Sequence, residues 1–222
     1  MSVHLNGGYQ TATEEFQQTF QQRAYGEDAR LTAINTVGAG AFGDVGGFVQ
    51  FWERVGIGAT YSHMSKSGTT MLTGTVPHPI AFNNARPVNV ETQTLRHRER
   101  ATHFHLSWRI PMSAVEKLDV TVYAGPSFFN LTQGVVTGVV ITEPSGPPFA
   151  TVTIDQITQD EHSRNGWGGH AGVDLTYMWT THFGLGGSAR FTGGSVDVPT
   201  ENGELSLSVG GFQVGGGLRF RF

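Results

Sequence analysis

The residues best suited to chemistry lie in "THFHLSWRI", where His103, His105, Ser107 and Arg109 take alternate positions. His105 beside Ser107 supplies the types of a general base and a hydroxyl nucleophile, the pair a lipid A deacylase would use. His103 and His105, joined by His170, would instead offer imidazole ligands to a divalent metal. Neither arrangement is completed by spacing: no acid is placed to orient His105, and no further metal ligand is identifiable. The glycine runs at 46–47, 168–169 and 215–217 lead into no Lys-Ser/Thr step and no helix, so they are not phosphate loops. The chain has no cysteine, which excludes disulfides and thiolate metal sites. The expectation is a non-enzymatic protein with no cofactor.

The elements that must position these residues are strands. From Phe212 to the end, Phe212, Val214, Leu218, Phe220 and Phe222 share one face, and Gln213, Arg219 and Arg221 the other. "HFGLGGSARF" sets Phe183, Leu185, Ala189 and Phe191 against Ser188, Arg190 and Thr192. "WGGHAGVDLTYMW" sets Trp167, Ala171, Val173, Leu175, Tyr177 and Trp179 against His170, Asp174 and Thr176. A large apolar face beside a charged one suits a barrel wall, with lipid on one side and a lumen on the other.

Composition agrees. Of 222 residues, 31 are glycine, about twice the usual share of about 7%, and charged residues are correspondingly scarce. Glycine weakens helices and permits the close backbone approach and bends of a curved sheet. The longest uncharged stretch, 120–142, contains Pro126, Asn130 and Gln133 and is rich in β-branched residues, which disfavours a membrane helix. A net charge of −4 gives no reason to expect nucleic acid; the one cluster of arginines, Arg96, Arg98 and Arg100, is interleaved with His97 and Glu99.

Strands are expected near 2–13, 29–52, 55–66, 93–110, 118–134, 156–179, 183–198 and 205–222, in a single domain over 1–222. Short connections at 53–54, 111–117 and 180–182 then alternate with longer ones at 14–28, 67–92, 135–155 and 199–204, the periplasmic-turn, extracellular-loop pattern of outer-membrane barrels. Several strands exceed the roughly 9–11 residues needed to cross the hydrocarbon and should project beyond it. The fold class is an all-β, eight-stranded, antiparallel up-and-down transmembrane barrel with long extracellular loops.

With its strand count, the terminal "VGGGLRFRF" and "DVGGFVQFW", the chain resembles the OmpA/OmpX-like small outer-membrane β-barrels over essentially its whole length. The resemblance implies a bacterial outer-membrane location, outer-membrane lipid as solvent, and the barrel assembly machinery as a partner reading Phe222. Met1 leads straight into "SVHLNGGYQ" with no apolar leader, so a removed signal peptide is expected before it.

Strand phase sends Arg109, Asp174, Arg190, Arg219, Arg221, His103, His105 and His170 into the lumen with Tyr123, Gln50 and Gln213, as a charge-balanced plug in a barrel too narrow to leave a channel. Trp52, Trp108, Trp167, Tyr177 and Trp179 face outward as aromatic girdles. Ile80, Phe82 and Phe149, on proline-stiffened loops, are candidates for an extracellular contact. The function expected is envelope integrity, adhesion or recognition through rim and loops. Two alternatives are a narrow, anion-favouring pore and a soluble lipocalin-like binder of small ligands, whose strands alternate equally but with apolar residues inward.

Overall fold

The computed structural model describes residues 1–11, 14–112, 117–200 and 203–222, apart from the side chains of 92–94, 111 and 200. Its strands are β1 (Ser2–Gln10), β2 (Glu14–Ala24), β3 (Glu27–Val37), β4 (Gly40–Gln50), β5 (Val55–Pro77), β6 (Ala85–Pro111), β7 (Leu118–Thr142), β8 (Thr153–Met178), β9 (Phe183–Thr200) and β10 (Gly203–Arg221). All pairings are antiparallel. The ring runs β1–β4–β5–β6–β7–β8–β9–β10 and returns to β1, a closed barrel of eight. The closing seam pairs Ser2 with Arg221 and Gln10 with Gln213. Closure matters because it removes the exposed sheet edges that a lipid environment cannot satisfy.

β2 and β3 form a hairpin that continues the barrel wall upward. β3 and β4 both pair with β5, Val37 opposite Gly68 and Phe42 opposite Met64. Five steps on one strand thus face four on the other, so one extra residue lies around Gly38–Gly40 as a bulge. Above it β2 no longer pairs with β10. Side chains bond the β10 backbone instead: Gln10 donates to the Gly210 carbonyl at 2.6 Å, Glu99 accepts the Gly210 amide at 3.0 Å, and Glu14 accepts the Ser208 amide at 2.6 Å. Across the interior, the Gln22 amide group receives the Val139 N–H at 2.9 Å and donates to the Val139 carbonyl at 2.8 Å.

The expected long loops are corrected by the structure. Residues 14–24 are strand, β5 continues to Pro77, β6 begins at Ala85, β7 continues to Thr142 and β8 begins at Thr153. What remains are tips at 25–26, 78–84 and 143–152. The second expected strand, 29–52, is two elements split by the bulge. The turns expected at 111–117 and 199–204, and the end of the first strand, fall partly outside the described residues.

The physical reason for the long strands is a second core. In the lower half of the barrel polar side chains point in and apolar ones out; in the upper half this is reversed. On β7 the inward Tyr123 and Ser127 give way to Phe129, Leu131 and Val135, while the outward Val122 gives way to Asn130 and Thr132. On β10 the inward Arg219 and Gln213 give way to Val209 and Leu207, and the outward Leu218, Val214 and Phe212 to Ser208 and Ser206. Phe20, Leu31, Leu72, Leu131 and Leu207 are fully buried in one apolar cluster. Each such side chain contributes about 1.5–3 kcal/mol on leaving water, which holds the upper strands together as a head.

Candidate functional site

The site is the filled lumen of the lower half. Alternation on eight strands aims every second side chain inward, and an eight-stranded ring is only wide enough for those side chains to meet. At the lower mouth Arg109 and Arg221 share Asp119, with N–O distances of 2.8 and 2.6 Å. Arg109 also reaches Gln50 at 3.4 Å. One layer up, Arg219 forms a two-point pair with Asp174 and donates to Asn6 at 2.6 Å; Asn6 donates to Asp44 at 2.8 Å. Arg190 closes this layer, reaching Asp44 at 3.4 Å and donating to Gln213 at 2.8 Å. Each lumen arginine therefore has a carboxylate, which offsets the desolvation that a lone buried guanidinium would suffer.

The next layer is imidazole. The Ser127 hydroxyl lies 2.8 Å from His103 Nδ1 and 2.9 Å from His170 Nδ1, and Ser62 lies 3.0 Å from His103 Nε2. The His103 and His170 rings are 4.9 Å apart, and His105 is 5.1 Å from Tyr123 and 5.4 Å from His170. His105 is buried with neither ring nitrogen bonded to a protein group. Among the described residues no three His, Asp or Glu side chains are placed to hold a metal ion. His105 and Ser107 both point inward and are buried, away from the lipid face where an acyl substrate would lie. Above this layer His97 bridges Glu99 and Gln133 at 2.6 Å each, and the apolar core of the head begins.

All eight lumen residues named from sequence thus point inward, with Arg109 and Arg221 at the half-open mouth. Sequence reasoning missed Asp44, Asp119, Asn6 and His4, which complete the network. Asp44 lies in "GAFGDVGG", whose glycines mask the alternation. A cavity of about 190 Å³ opens from the lower mouth and is floored by His4, Asp174 and Arg219.

The outer wall carries the apolar band. Leu106 is 59% exposed, Trp167 65% and Phe191 61%, values that make sense against lipid rather than water. Trp52, Trp108, Tyr177 and Trp179 lie near the lower turns and Trp167 at the upper edge of the band, giving an aromatic at either boundary. Phe222 is exposed at the lower seam, its amide donating to the Met1 carbonyl at 3.0 Å. The head's tips are tied by Arg86, which pairs with Glu143 at 2.6 Å and donates to the Phe149 and Pro77 carbonyls at 2.9 Å each. Of the three loop candidates, Ile80 and Phe82 are exposed. Phe149 is half-buried, its ring edge-on to His78 at 6.1 Å.

No protein family matches the chain, and no curated protein does. Among solved structures it is similar to the outer membrane protein OprG of Pseudomonas aeruginosa, at 11% identity and a TM-score of 0.48, covering 100% of this chain and 95% of that one. The N-terminal β-barrel domain of Pseudomonas aeruginosa OprF gives 15% identity and 0.40 over 100% and 97% of the two chains. Neisserial surface protein A gives 9% and 0.37 over 100% and 96%.

Proposed function

We propose that this chain is an integral barrel of the bacterial outer membrane, non-enzymatic and sealed by side chains, that holds a rigid extracellular β-head for recognition or adhesion. The observation that carries the reading is the reversal of polarity half-way along the strands. An apolar outer band over a polar interior is stable only in lipid, and an apolar interior under a polar outer face is stable only in water. A single barrel with both halves must stand across a lipid–water boundary. The band's inward face is polar, which disfavours a lipocalin-like pocket there.

The non-enzymatic part rests on the inward, buried placement of His105 and Ser107. The sealed lumen rests on paired arginines beneath an apolar core. The recognition role rests on exposed Ile80 and Phe82 on a tip clamped by Arg86. Phe222, exposed where β10 ends, is the residue we assign to the barrel assembly machinery.

The test is migration of detergent-extracted protein with and without boiling, followed by planar-bilayer recording. A heat-dependent band shift with no reproducible current steps is the expected result. Soluble protein without the shift would overturn the membrane reading, and steady unitary currents would replace the plug with a pore.

A further inference from the structure

The outward face of β6 changes character within a few residues. Ile110, Trp108, Leu106 and Phe104 belong to the apolar band, Thr102 ends it, and Arg100, Arg98 and Arg96 follow on the same face. At about 3.3 Å per residue, Arg100 lies roughly 13 Å along the strand from Phe104, about 10 Å in height at a strand tilt of about 40°, where headgroups replace hydrocarbon. Neighbouring strands put polar, uncharged groups or an imidazole beside the row. Arg100 is flanked by His63 and Asn130, and Arg98 by Ser65 and Thr132. Among the described residues only Arg96 has a carboxylate in reach, Glu161 at 3.2 Å, and that pair is exposed. Arg98 and Arg100 are therefore cations at a lipid boundary without an acid partner among the described residues.

A second feature lies directly beneath them. The apolar wall carries a shallow groove of about 900 Å³, lined by Val45, Ile57, Ala59, Phe104, Leu106 and Pro126. Small residues on β4, β5 and β7 leave it open between the larger side chains of β6. It crosses the wall from β1 to β7, and on β6 its lining ends at Phe104, four residues below Arg100, within reach of a hydrocarbon chain that hangs from the arginine row.

We propose that Arg98 and Arg100, supported by Arg96, bind the phosphate of an anionic lipid in the outer leaflet whose hydrocarbon chain lies in this groove. A guanidinium meets a phosphate through two parallel N–H donors, and at a lipid surface its competition with water is reduced. Each basic residue near an anionic headgroup layer gives roughly fivefold enrichment, so two unpaired arginines should select anionic over zwitterionic lipid by about an order of magnitude or more.

The experiment titrates delipidated full-length protein in detergent with phosphatidylglycerol or phosphatidylcholine and counts bound lipids by native mass spectrometry. The parent should prefer phosphatidylglycerol about tenfold or more. R98Q/R100Q, with both changes on the exposed wall, should keep its heat-dependent band shift and bring the ratio close to one. R23Q/R30Q removes two exposed arginines from the head and should leave the ratio unchanged. Ala59→Leu, which fills the groove, should weaken both lipids together. A parent without preference, a preference that survives R98Q/R100Q, or an equal loss in R23Q/R30Q each overturns the headgroup site. Unchanged lipid affinity in Ala59→Leu overturns the groove as the chain's seat.

Discussion

Asp174→Asn separates a sealed lumen from a water-filled one. Asp174 is 5% exposed and Arg219 4%, and Asp174 also accepts the Thr176 hydroxyl at 2.7 Å. Neutralising the carboxylate leaves the Arg219 guanidinium buried with no anionic partner, its acceptors reduced to Asn6, the Leu218 carbonyl and the single amide oxygen of the new side chain. Breaking one side of a buried pair costs about 3–5 kcal/mol. That lowers the folded-to-unfolded ratio by about two to three and a half powers of ten. Removing both charges with similar volume, Asp174→Leu with Arg219→Met, should cost far less, because neither ion then needs solvation. Urea unfolding of vesicle-reconstituted protein, followed by tryptophan fluorescence, gives both numbers. If Asp174→Asn stays within about 1 kcal/mol of the parent, the pair behaves as an exposed one, water reaches it, and the plug is refuted.

Three further outcomes follow from the same geometry. Phe20→Ala empties a fully buried site in the head and should cost about 3–5 kcal/mol, whereas the outward Phe212→Ala should cost clearly less; hydrogen exchange over 14–37 that is equal in the two variants would contradict a separate upper core. A Cβ at Gly217 would run into the Leu5 carbonyl oxygen at the closing seam, so Gly217→Val should abolish the heat-dependent band shift, and a normal shift would argue against the β1–β10 register. Hydrogen bonding to Arg86 holds the Glu143 carboxyl below its ordinary range. Since the folded pKa is depressed, the clamp's contribution is fully present above the ordinary carboxylate value of about 4.3 and is lost as pH falls through the lower folded one. Proteolysis of the 143–152 tip should accelerate only at those acidic pH values in the parent and already at neutral pH in Glu143→Gln; no difference between the two would remove the clamp.

The lower half was legible because its two signals coincide. Leu185, Ala189 and Phe191 against Ser188 and Arg190 fix strand, phase and environment together, so the inward set is right wherever glycines do not interrupt. Asp44 is surrounded by glycine, which hides its phase; Asp119 shares the inward phase of Tyr123, but it stands at the strand end beside the turn, and its pairing with Arg109 and Arg221 brings together separate strands. The cross-strand pairing of Arg219 with Asp174 depends on register between distant segments, which no single-strand pattern contains.

The head escaped for a different reason, which also explains how the chain builds it. Its strands carry the opposite polarity and are broken by bulges, so Arg96, Arg98 and Arg100, inside the strand expected over 93–110, gave no sign that they are the outward β6 face continued into water. A period of two admits no gradual change: between bulges a strand keeps its phase, and only the residue types on each face exchange. Phase itself changes at bulges: on β6, where the inward set passes from Arg86 and Val88 to Leu95 and His97, on β7 near Val136–Gly138, and around Gly38–Gly40, where β3 passes into β4. There the inward positions pass from odd numbers (Leu31, Ala33, Asn35, Val37) to even ones (Gly40, Phe42, Asp44). Without the extra residue, Leu31 and Ala33 would face solvent and Thr32 and Ile34 the core. The bulge therefore lets one continuous segment serve both interiors, polar below and apolar above, and its position next to the split between β2 and β10 places the change of solvent where the wall stops being continuous.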